Sequence, residues 1–127
     1  MLKTLFISLF TTVFICLPAF AENWVLVTRG EGGTEYYIDT ESLREGGNGN
    51  YLFWRMSISP ASDEQGIVAE KTYVSMSCPL RAWRRLMYAS FNARGELVER
   101  EDLGENEPLQ FFTSGSVGEG LWKYVCE

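Results

Sequence analysis

The sequence predicts an α+β domain: a single antiparallel sheet of about six strands with a C-terminal helix packed on it and one disulfide. Three observations predict it. Apolar residues recur at period two in short runs, separated by clusters of Gly, Pro, Asn and Asp. After Ser116 the apolar spacing changes to that of a helix. Of the three cysteines, only Cys78 and Cys126 lie beyond the apolar leader.

The leader comes first in the chain. Lys3 precedes an almost unbroken apolar stretch from Leu5 to Leu17, and Pro18-Ala19-Phe20-Ala21 then gives the small-x-small form that signal peptidase cuts after. A membrane anchor is the competing expectation, but the stretch is shorter than the ~20 residues a spanning helix needs and ends at a proline. Lipid attachment at Cys16 would need small residues before it, and Phe14 and Ile15 are bulky. Residues 1–21 are therefore expected to be a signal peptide and residues 22–127 the mature domain, with no integral membrane segment after the leader is removed. The leader carries Lys3 and no acidic residue, so its loss takes the formal charge from −6 to about −7. An acidic domain disfavours nonspecific attraction to nucleic acid, and no nucleic-acid partner is expected. In an oxidising compartment the even pair Cys78 and Cys126 is expected to form a disulfide, which on the chain-entropy argument stabilises the fold by roughly 4 kcal/mol.

Along the mature chain, Asn23 to Arg29 alternates and is joined through Gly30-Glu31-Gly32-Gly33 to a second strand over Thr34 to Asp39. Asp39 is placed to cap a short helical turn running through Leu43, and Gly46 to Asn50 breaks the chain. From Tyr51 to Ile58, Leu52, Trp54, Met56 and Ile58 share one face while Arg55 and Ser57 point away. Ile67 to Cys78 and Leu80 to Asn92 are read as two long strands. A helix over 80–91 is the alternative, disfavoured because Asn92-Ala93-Arg94-Gly95 has the form of a hairpin turn into Glu96 to Leu103. Pro108 to Thr113 is a short edge strand. Ser116-Val117-Gly118-Glu119 has capping-box spacing, and the helix that follows would bury Leu121, Trp122, Val125 and Cys126.

Tyr36-Tyr37-Ile38-Asp39, Ser42-Leu43, Trp54, Cys78 with Arg81, Arg84 and Arg85, Gly95 with Val98, and Ser114 to Cys126 with Glu119 occur in an order and spacing that resembles the surface-adhesin protein E-like family. The resemblance spans nearly the whole mature chain. It implies an antiparallel sheet of PAS-like appearance with a disulfide-tethered C-terminal helix. It also implies an exported protein of a Gram-negative bacterium. The name-giving member is an outer-surface lipoprotein that binds host matrix and plasma proteins. This chain departs from it at Cys16, so the expected location is the periplasm or the outer cell surface.

The chain has no histidine, no phosphate-cradling glycine motif and no metal-ligand spacing. The expectation is a non-enzymatic protein without cofactor or metal. A carboxylate-dependent hydrolase would need two acidic side chains about 5–10 Å apart in a cleft. Glu99, Glu101, Asp102, Glu105 and Glu107 are read as a solvated, edge-protecting face rather than a calcium site. The candidate protein-binding surface is Arg81, Trp83 and Arg85, a row that strand geometry would align on one face with the composition of an interface hot spot. Its bland counterpart is a solvated strand whose arginines pair with Glu70 or Glu99. Trp24, Trp54 and Trp122 are assigned to the core. The expected function is a binding protein for another protein; the alternative is a soluble periplasmic accessory or small-ligand-binding protein that uses the concave sheet face.

Overall fold

The computed structural model describes residues 22–127, so the leader and Cys16 lie outside the described residues. Eight strands and one α-helix follow in order, with a single 3-10 turn at Glu31–Gly33 between the first two strands: β1 Trp24–Arg29, β2 Glu35–Asp39, β3 Arg44–Gly47, β4 Asn50–Ile58, β5 Ile67–Ser77, β6 Ala82–Asn92, β7 Leu97–Asp102, β8 Gln110–Phe111 and α1 Val117–Cys126. All strands join one antiparallel sheet, with a main path β1-β2-β4-β5-β6-β7, while β3 pairs with β4 and β8 with β6. The expected class holds, and the strand count is corrected from about six to eight. One of the added strands is short and lies where the glycines of 46–50 suggested a break. Asn48 and Gly49 both adopt positive φ, 54° and 75°, which is the backbone a two-residue hairpin turn requires. The segment therefore turns back and pairs Arg44 with Leu52. The expected helical turn after Asp39 is a plain turn: the Asp39 carboxylate accepts from the backbone N–H groups of Asn23 (2.9 Å) and Glu41 (3.1 Å).

The helix begins as its sequence predicts, with a variation. The Ser116 hydroxyl accepts from the Glu119 N–H at 3.1 Å. The Glu119 carboxylate reaches the N–H of Gly115 (3.0 Å), one residue beyond the usual partner. Leu121 then lies fully buried against Ile38, Phe53, Val74 and Met76, with Val117, Trp122 and Val125 packed around them. Burying one such side chain contributes about 1.5–3 kcal/mol. Close approach is required at Gly118, where a β-carbon would collide with the Phe112 ring. The Cys78–Cys126 disulfide, with Cα atoms 5.7 Å apart, joins the end of α1 to the residue after β5.

The core lies on the other face of β4 from the one expected. Phe53 is fully buried and Arg55 is 9% exposed, while Leu52, Trp54 and Met56 lie on the sheet face away from α1. The alternation was legible; which phase the helix would cover was not.

Candidate functional site

Two regions gather chemistry-bearing side chains, one on each face of the sheet. On the face away from α1, opposed residues form rows across the strands. Trp24 faces Asp39, Trp54 faces Tyr73, Tyr73 faces Met87 and Lys71 faces Ala89, and Ala89 faces Arg100. Residues directly opposite one another share a face, so these rows make one continuous surface. It forms an open groove of about 670 Å³, whose lining includes Glu22, Trp24, Trp54, Lys71, Phe91 and Arg100. The Trp54 and Tyr73 ring centroids lie 5.1 Å apart and are tilted by 41°. The Lys71 ammonium lies 5.5 Å from the Trp24 ring and 5.6 Å from that of Phe91, and 3.6 Å from the Glu22 carboxylate. Side chains of β1, β5 and β6 thus converge on one cation, which requires the sheet to curl around it. Asp39 is buried and committed to two backbone N–H groups, so it shapes one wall. Ser42 fixes the same wall, accepting from the Trp54 N–H at 2.9 Å and donating to the Asp39 carbonyl at 2.8 Å.

The second region is the start of β6, where the expected arginine and tryptophan row lies. The structure separates its members. Arg81 precedes the strand in a left-handed conformation, φ 52°. Its guanidinium stacks 4.3 Å from the centre of the Trp122 ring and bonds Glu119 at 2.9 Å. The Gly115 N–H, seconded by Lys123 and Arg81, holds the Glu119 carboxyl below the usual carboxylate range. Trp122 in turn donates from Nε1 to the Cys78 carbonyl at 3.1 Å. Arg81 is therefore part of a clasp that seats α1 beside the disulfide.

Trp83 and Arg85 do lie on one face, the face that α1 covers. Trp83 opposes Met76 and Arg85 opposes Val74, both buried core residues. Trp83 donates to Gln110 at 3.0 Å and packs edge-on against Phe112, and Arg85 pairs with Glu107 at 2.6 Å. Neither arginine of the row pairs with Glu70 or Glu99. Glu70 instead lies 3.9 Å from Arg55, and Glu99 and Glu101 both accept from the Tyr88 hydroxyl, at 2.6 and 3.0 Å. Two anionic acceptors on one phenol push the Tyr88 pKa up. Tyr88 reaches this face because Leu86 is an extra residue in the β6 ladder, and such a bulge shifts the alternation by one.

Arg55, expected to point to solvent, is buried between Trp83 (4.7 Å) and Tyr36 (5.9 Å). Burial lowers its pKa. Trp24 and Trp54, expected in the core, line the groove, while Trp122 does pack against the core. Lys71 and Arg100 were not singled out from the sequence. They share one cross-strand row with Met56 and Ala89, a grouping that becomes visible only once strand register is known. Among the described residues, no helix is long and apolar enough to cross a membrane, and no cluster of three or more acidic, His or Cys side chains could hold a metal ion.

Comparison with known proteins returns one family, Surface-adhesin protein E, which matches residues 24–127. No curated protein and no solved structure matches the chain.

Proposed function

The chain belongs to the surface-adhesin protein E family, and from that premise we propose that it is an exported, non-catalytic binding module that engages another protein, with host matrix and plasma proteins as the class of partner. Residues 1–21 are its signal peptide and residues 22–127 the working domain. The observation that carries this reading is the rim at the start of β6. Leu80 is 55% exposed, Phe111, which pairs with Ala82, 66%, and the side chain of Arg81, next to Leu80 in the chain, 52%. Single exposed apolar residues are ordinary. Here Leu80 precedes, and Phe111 pairs with the residue after, an arginine that is stacked, ion-paired and held in one geometry, so little of the arginine's side-chain freedom is lost on contact. Trp83 and Arg85 support this rim from beneath by tying β8 and Glu107 to β6. They are supports for the contact surface, and Arg81 is its exposed member.

Location decides which partners are reachable, so the first experiment is cell fractionation combined with protease treatment of intact cells. The expected outcome is cleavage on intact cells. Purified matrix and plasma proteins are then titrated against immobilised wild-type domain and against a Leu80→Asp/Phe111→Asp double variant, whose changes lie on exposed side chains. At least one of them is expected to bind the wild type and to lose about tenfold or more in affinity to the variant. Full protection in the periplasm would exclude host partners, and undiminished binding by the double variant would exclude the rim.

A further inference from the structure

The groove on the open face is a feature the fold does not need. A sheet face in contact with water ordinarily carries polar side chains. This one instead places Trp24 on β1, Trp54 on β4 and Phe91 on β6 in one trough. The trough reaches from Trp24 on the first strand of the main path to Arg100 on the last, a span of six strands, and the curl of the sheet brings Trp24 and Phe91 to the two sides of Lys71. It is a groove lined from several strands rather than an enclosed cavity, so it suits a short chain lying across the strands.

The polar groups on its rim narrow the chemistry. Glu22 and Glu41 are carboxylates within reach of solvent, and Lys71 and Arg100 are cations. The accessible charges balance. A wholly apolar ligand would desolvate these four charges without compensation. A polyanion would meet Glu22 and Glu41 in a chain of net charge −6. What uses both the rings and the balanced rim is a neutral chain with flat C–H faces and hydrogen-bonding edges. Pyranose sugars have that form: their C–H faces stack on aromatic rings, and their hydroxyls both donate to carboxylates and accept from ammonium and guanidinium groups. We infer that the groove binds a neutral oligosaccharide, with pyranose rings stacked on Trp54 and Trp24 and hydroxyls bonded to Glu41, Lys71 and Arg100. Lys71 is already oriented by Glu22, Trp24 and Phe91, so its remaining donors point without further ordering. The inference rests on the groove alone and is independent of the rim at the start of β6.

The test titrates the mature domain with cellohexaose, chitohexaose and maltohexaose, and with hexaglutamate as an anionic chain of similar length, by calorimetry. At least one hexasaccharide is expected to bind with Kd between about 10 μM and 1 mM. Trp54→Ala is expected to weaken it about tenfold, and Glu41→Ala and Arg100→Ala several-fold each. The Leu80→Asp/Phe111→Asp variant is expected to bind like wild type. Because Glu41 and Arg100 are exposed, their variants carry the test even if Trp54→Ala folds poorly. Absence of binding by all three sugars at about 10 mM overturns the inference. So does preference for hexaglutamate, or wild-type sugar affinity in the folded Glu41→Ala and Arg100→Ala variants.

Discussion

On the helix side of the sheet Ile38, Phe53, Val74 and Met76 are fully buried beneath Leu121, whereas on the opposite side the aromatic side chains of Trp24, Trp54 and Phe91 stay partly exposed. The two faces are made by alternate residues of the same strands. What separates them is cover: one ten-residue helix closes one face, and among the described residues nothing comparable packs on the other. Burial in this domain follows from which phase of each strand receives α1, and only secondarily from the apolar content of that phase. The covered face therefore carries stability, and the open face is free to vary in what it touches.

The comparison can be broken or sharpened by experiment. The largest effect is expected from opening the disulfide, since a Cys78→Ser/Cys126→Ser variant frees a 48-residue separation and should lose about 4 kcal/mol of stability in urea unfolding. Gly118→Ala should come next. Alanine favours a helix over glycine by about 1 kcal/mol in isolation, yet here its β-carbon meets the Phe112 ring. Overpacking should make the variant less stable by about 1–3 kcal/mol, and a more stable variant would show that the covered face has slack.

Acid should loosen the clasp by a smaller amount. Glu119 has a folded pKa below its ordinary value, chiefly through the Gly115 N–H. Its contribution is therefore complete above the unfolded value of about 4.3 and is lost as pH falls through the folded one. Near-ultraviolet dichroism of the tryptophans should report loosening of α1 below about pH 4, and Glu119→Gln should remove that limb of the profile. The smallest effect belongs to the open face: Trp54→Ala should cost clearly less stability than the about 3–5 kcal/mol typical of a fully buried tryptophan. A full-sized loss would mean that Trp54 is core and the groove only its margin.

Much of this arrangement was legible in the sequence. The long strands, the hairpin at Asn92 to Gly95, the capped helix after Ser116 and the cysteine pair are all local signals, set by periodicity, turn chemistry and count. What failed depended on contacts between distant residues. In β4, Leu52, Trp54 and Met56 are as apolar as the Tyr51 and Phe53 phase, and Arg55 argues against burial; the distant Trp83 and Tyr36 rings make a place for its guanidinium. The row of Arg81, Trp83 and Arg85 assumed a strand from Leu80, but Arg81 adopts positive φ and the ladder begins at Ala82. Leu86, an inserted residue, then moves Tyr88 to the other phase. The Asn48-Gly49 hairpin was readable from its dipeptide, but the glycines around it hid the strand. Lys71 and Arg100 gave no local sign at all, because a groove across six strands is a property of register.

The link between Cys78 and Cys126 divides the backbone into an open stretch and a closed ring. β6, β7, β8 and α1 lie within the ring, and β1 to β5 lie outside it. Cutting the exposed loop at 104–106 would leave both pieces covalently joined, so the nicked protein would migrate as one chain until reduced. Cutting the exposed loop at 60–65 would leave two fragments held only by the hydrogen bonds and side chains of the β4–β5 ladder and its neighbours. A protease that samples both loops with equal ease would therefore produce separable fragments through only one of them.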